Sequence, residues 1–167
     1  MNRTAKSVAS QIFRLRGRKL SVVLLLWANY VLLGVNWGMS IRAYLKLPGR
    51  MALWLSLWRA TPIIVARSPL FFVYPAVQSI VFFGGLAWAG KFFISRSDGE
   101  DLANLKAEVS YLELIFSSLL FIHFQTSLIF LSFGMGSGVN GFYLAVIVAV
   151  LVMLVPYYNI RRRILSR

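Results

Sequence analysis

Four long apolar stretches, at about 21–41, 69–94, 109–133 and 142–158, alternate along the chain with short basic or polar segments. An α-helix rises about 1.5 Å per residue and a bilayer's hydrocarbon core is about 30 Å thick, so stretches of this length are those that cross a membrane. The expected fold is all-α: a polytopic membrane protein of four transmembrane helices, forming one domain over 21–167 behind a basic amphipathic segment at 1–20. Asn29 and Asn36 fall seven apart on one face of the first span, beside the small-residue pair Gly34 and Gly38. A face of that kind meets another helix. The second span holds Pro75 and the small-residue run Gly84, Gly85, Ala87, Ala89 and Gly90. The third is the polar one, with Glu113, Ser117, Ser118, His123, Gln125, Thr126, Ser127 and Ser132 set among Leu, Ile and Phe.

A shorter apolar stretch, 51–66, carries Arg59 at its centre and Pro62 soon after. Charge decides how it is placed. If it lies in the interface, the side shared by the N-terminus, the 91–106 connector and the C-terminus receives thirteen basic residues and the other side five. If it spans, the bias almost vanishes, against the tendency of short loops on one side to collect Lys and Arg. The expectation is an interfacial amphipathic helix over 44–67, bounded by Pro48-Gly49 and Pro62, with Trp54 and Trp58 toward the acyl chains and Arg50, Arg59 and Arg67 toward headgroups. The connector 95–106 is expected to be the one conventionally soluble part of the chain, with its turn at Ser97-Asp98-Gly99-Glu100-Asp101.

Eighteen Lys and Arg stand against five acidic residues, a net charge of +13, and every acid lies between Asp98 and Glu113. A content of 59% hydrophobic residues and a mean hydropathy of +0.72 exceed what soluble domains carry. The basic residues flank apolar spans instead of covering a soluble face, so anionic lipid, not nucleic acid, is the expected partner. There is no cysteine, which removes disulfides, thiolate catalysis and Cys-ligated metal. Met1–Lys19 is basic, acid-free and contains Ser7 and Ser10, with Val8, Ile12 and Leu15 at helical spacing. This is the composition of a mitochondrial targeting segment, read here as an amphipathic, lipid-facing helix that stays on the protein.

Chemistry is sparse. His123 is the only histidine and sits mid-span, where an ionisable group is a functional hypothesis. The default for it is a neutral imidazole bonded to the Ser127 hydroxyl one turn on, or to a neighbouring subunit. The functional alternatives are a quinone donor, or a haem ligand whose second imidazole another chain must supply. Glu113, Ser127 and His123 share one side of the third helix, but Glu113 and His123 stand about 15 Å apart along the axis, too far for direct proton transfer. A neighbour's basic residue is the ordinary partner for Glu113. Gly136-Ser-Gly-Val-Asn-Gly141 fits the dinucleotide-loop pattern without the strand that motif requires, and reads as an interhelical turn. Asn2-Arg3-Thr4 is a nominal glycosylation acceptor on the wrong side of the membrane to be used. The basic clusters are the best binding candidates: Arg14, Arg16, Arg18 and Lys19 before the first span and Arg161, Arg162 and Arg163 after the last, on one side, with Arg50 and Arg59 on the other. The first two clusters together suit a doubly anionic headgroup such as cardiolipin. No metal and no cofactor beyond phospholipid is expected. The function these features suggest is that of a non-catalytic accessory subunit in a mitochondrial inner-membrane complex, respiratory or ATP synthase, with helix partners and bound anionic lipid. A small transporter or proton-conducting or haem-anchoring subunit using Glu113 and His123, or a bacterial inner-membrane location, are the alternatives.

Overall fold

The computed structural model describes residues 19–54, 63–94, 99–136 and 139–165. Within them the chain is a bundle of four long helical segments, each apolar and long enough to span a membrane, the second of them with its flanking turns over Pro69–Phe93, and a small hairpin lies between the first two. It is an all-α multi-pass membrane protein. Helix α1 runs over Leu20–Lys46, α2 over Val73–Trp88, α3 over Glu100–Ser132 and α4 over Gly141–Leu165.

The helix ends differ from the apolar boundaries for local reasons. α1 continues past the apolar stretch to Lys46, because Ile41–Lys46 holds no helix breaker, and stops before Pro48. α2 is entered through a 3-10 turn, Pro69–Phe72, whose Ser68 side chain accepts a hydrogen bond from the Leu70 N–H at 3.2 Å. It leaves through a π turn, Ala89–Phe93. α3 begins at Glu100, with Glu100 and Asp101 in its first turn, where acids complement the helix dipole. Residues 100–106 of the connector expected over 95–106 therefore belong to the helix. At the start of α4 the Asn140 side chain accepts from the Phe142 and Tyr143 N–H groups at 3.0 and 3.2 Å, an Asn cap.

Among the described residues of the interfacial helix expected over 44–67, two stretches are strand instead. Arg50–Trp54 forms strand β1 and Ile63–Ala66 forms β2, paired antiparallel from Arg50↔Ala66 to Trp54↔Ile63 with a bulge at Leu53. Three features favour strands: Pro48-Gly49 ends α1, the β-branched run Ile63-Ile64-Val65 suits a pleat, and Met51 and Ala52 are fully buried. A lone two-stranded hairpin is marginal in water. This one is pinned to the bundle, since the Ala52 N–H donates to Ser132 Oγ at 2.9 Å at the end of α3. Trp58, Arg59 and Pro62, and the side chain of Trp54, lie outside the described residues.

Two apolar cores hold the helices. Near the termini, Val22, Phe82, Ala107, Tyr111 and Leu114 pack together; near the hairpin, Leu47, Met51, Phe71, Leu128 and Ile129 do. Gly85 allows the close approach of α2 to α3: a Cβ there would lie 2.8 Å from a methyl of Leu114. α4 buries only Ile147 and Leu154 of its length and leaves most of its apolar surface outward.

Candidate functional site

The register of the helices shows which polar groups meet. α1 and α3 run parallel: Lys19 Nζ is 2.8 Å from Asp101, and Thr126 Oγ1 lies 3.7 Å from Met39 Sδ. α2 runs against both, with Tyr74 stacked on Phe124 at 5.5 Å and Gly85 beside Leu114. Between these contacts lies a seam of buried polar side chains: Asn29, Asn36 and Ser40 from α1, Gln78 from α2, Ser118 and Gln125 from α3. Asn29 Nδ2 donates to the carbonyls of Leu25 at 2.9 Å and Tyr111 at 3.0 Å. One level on, Asn36 Nδ2 donates to Gln78 Oε1 at 2.6 Å. Ser40 Oγ donates to the Asn36 carbonyl at 2.6 Å, and beside it Trp37 Nε1 donates to Ser79 Oγ at 3.0 Å. Tyr111 to Gln125 is fourteen residues of helix, so the seam runs for about 21 Å, most of a hydrocarbon core.

Several of its atoms have bonding capacity to spare. Asn29 Oδ1, Asn36 Oδ1, Gln78 Nε2 and both side-chain heteroatoms of Gln125 are buried without a hydrogen-bond partner among the described residues. Buried amides left unpaired are costly in a low-dielectric setting. The seam suits ordered water or a small hydrogen-bonding solute. Its side chains are uncharged amides and hydroxyls, groups that donate and accept hydrogen bonds. The seven-residue spacing of Asn29 and Asn36 signals its α1 side; Gln78 carries no such signal, because only the register of α2 brings it to Asn36.

His123 lies off this seam, on the side of α3 that meets α4. Its Nε2 accepts from the Asn140 backbone N–H at 3.1 Å, and its ring lies 4.4 Å from that of Tyr143. This replaces the bond expected to Ser127, which is buried on the same side of α3. The α4 cap turns its N–H toward the imidazole, and an accepting Nε2 leaves the proton of the neutral ring on Nδ1. Glu113 faces out of the bundle and is exposed. Thus Glu113, His123 and Ser127 do not form one path. Among the described residues no group of three metal-ligating side chains occurs.

The basic clusters divide as well. Lys19 is paired with Asp101, and its N–H contacts Asn104 Oδ1 at 3.4 Å. Arg161, Arg162 and Arg163 are exposed on the last turns of α4, at the same end of the bundle, where the Tyr157 hydroxyl donates to Glu108 at 3.2 Å. Arg14, Arg16, Arg18 and Arg59 lie outside the described residues. At the far end Arg50 is exposed and Arg67 rests over the Tyr44 ring, 4.4 Å from its centroid. No family model, no curated protein and no solved structure matches this chain.

Proposed function

We propose that the chain is a non-catalytic accessory subunit of a large energy-transducing membrane complex, of the respiratory-chain or ATP-synthase kind, in which it packs against partner helices and binds anionic lipid. The observation that carries the need for a partner is Glu113. It lies five residues beyond Glu108, about 7–8 Å deeper along α3, points outward, and has no ion pair among the described residues. A carboxylate facing lipid at that depth is costly, and polar or basic groups of an adjoining subunit remove the cost. Two surfaces suit such a neighbour: the outward side of α4, and the exposed Gly84 and Ala87 of α2 with Gly90 in the π turn that follows, on which a second helix can approach closely. The mitochondrial inner membrane is assigned from the basic, acid-free composition of Met1–Lys19, and a bacterial inner membrane satisfies the same charge pattern.

The test is purification through a C-terminal tag in gentle detergent, followed by a native gel and mass spectrometry of the co-purifying chains. Migration in a large hetero-oligomer that Glu113→Leu disrupts is the expected result; a small homo-oligomer overturns the proposal. The buried amide seam favours a second reading, passage of protons or a small polar solute through the bundle. Under that reading, reconstituted vesicles show a flux that Asn36→Leu abolishes while the native-gel mobility stays unchanged.

A further inference from the structure

A groove of about 620 Å³ opens on the membrane-facing surface between the second half of α1 and the end of α3. Val35, Gly38, Ile129 and Phe133 contribute to its apolar walls, and Arg42 and Lys46 stand at one end. Its size is that of a ligand pocket, about 300–1,000 Å³. Its polarity is graded along the membrane normal. Val35 to Lys46 is eleven residues of helix, about 16 Å, and Val35 to Arg42 about 10 Å of it, so the groove runs from the headgroup level about two-thirds of the way through the hydrocarbon of one leaflet. Arg42 and Lys46 are one turn apart on the same side of α1, at the level where headgroups lie.

The charges at this end have no internal answer. Every acid of the chain lies between Asp98 and Glu113, and α3 carries Glu100, Asp101, Glu108 and Glu113 toward the end that holds the termini. Arg67 rests over Tyr44. Arg42 and Lys46 are exposed and make no ion pair among the described residues. An anion from outside the chain is what this arrangement takes.

We propose that the groove is a binding site for one anionic phospholipid of the leaflet opposite the termini, its phosphate between Arg42 and Lys46 and an acyl chain along Val35, Gly38, Ile129 and Phe133. The site is separate from the basic clusters beside α1 and α4 at the other membrane face. It rests on the membrane-spanning fold and not on the accessory-subunit reading. Gly38 gives the groove its depth: a Cβ there meets nothing within 4 Å, so a larger side chain fills the groove without disturbing the bundle.

The experiment uses the full chain in nanodiscs of phosphatidylcholine doped with phosphatidylglycerol, reading the lipids that stay bound by native mass spectrometry after transfer to neutral detergent. The expected result is retention of one phosphatidylglycerol in preference to phosphatidylcholine. Arg42→Gln with Lys46→Gln lowers that retention about twenty-five-fold, the loss of two near-surface cations. Gly38→Leu removes it with the charge unchanged. Equal retention of the two lipids overturns the proposal, as does retention that Gly38→Leu leaves intact, or one lost only with Arg161→Gln and Arg162→Gln. If the double variant does not fold, Gly38→Leu decides alone. A co-purifying peptide chain in the groove, displaced by Gly38→Leu in place of lipid, also overturns it.

Discussion

At the end of the bundle that holds the termini, helices are tied by charged and phenolic groups: Lys19 to Asp101 and Tyr157 to Glu108. At the hairpin end the ties are aromatic and apolar, with Phe71 buried against Leu47, Met51 and Leu128, and Tyr44 beside both Phe71 and Phe72. The first end has cations and acids and can neutralise part of its charge internally. The second has cations alone. A chain that confines its acids to one stretch thereby assigns them to one membrane face, and the opposite face must take its anions from lipid or from partners. The difference also predicts where stability resides, since exposed ion pairs contribute little and dense apolar packing contributes much.

The largest effect is therefore expected at the hairpin end. Phe71→Ala empties the centre of that core and should cost about 3 kcal/mol, read as the midpoint of unfolding in mixed detergent and SDS. A loss no larger than that from a terminal-end ion-pair variant would show that the hairpin end is not the more strongly packed.

How much of this contrast the sequence discloses depends on the kind of interaction. The four spans are legible because hydropathy over about 20 residues is a direct measure of membrane crossing. The charge asymmetry is legible for the same reason. The hairpin is not, because Trp54 and Trp58, four apart, imitate one side of an amphipathic helix. Its signals, Pro48-Gly49, Ile63-Ile64-Val65 and Pro62, are short and local. The partner of His123 is a backbone N–H, that of Asn140, and no side-chain pattern encodes a backbone donor. Half of the amide seam is readable as Asn29 and Asn36. The other half depends on how α2 and α3 slide against α1, which is settled by packing such as Gly85 on Leu114.

Between the two ends, the seam sets the next scale. Asn36→Leu leaves Gln78 buried without its partner and should cost about 1 kcal/mol, near the values found for hydrogen bonds between membrane helices. Asn36→Leu combined with Gln78→Leu should recover most of that loss, because replacing both partners removes the orphan. If the double variant is instead worse than the sum of the singles, packing volume and not hydrogen bonding governs the middle of the bundle. Gly85→Ala belongs to the same scale. Its methyl meets the mobile end of Leu114, and a cost of about 1 kcal/mol is expected, against no change for Gly84→Ala, where nothing lies within 4 Å.

The smallest effect should come from the ion pair that looks, on distance alone, like the strongest tie at the terminal end. Lys19 and Asp101 approach to 2.8 Å, yet both side chains remain well exposed, at 59% and 63%. Water and salt screen such a pair, and holding two flexible side chains in one geometry opposes the attraction. Lys19→Gln should leave the unfolding midpoint unchanged within error, at low and at high salt. Its charge still counts toward the basic side of the chain, so the place to look for a consequence is membrane orientation. With Arg161→Gln and Arg162→Gln added, cysteine-labelling of the termini should reveal a fraction of inverted chains while the stability of the correctly inserted ones stays the same. A fall in stability from Lys19→Gln alone, abolished by Asp101→Asn in the same chain, would show instead that the terminal end is held by its charges, and the contrast between the two ends would have to be drawn the other way.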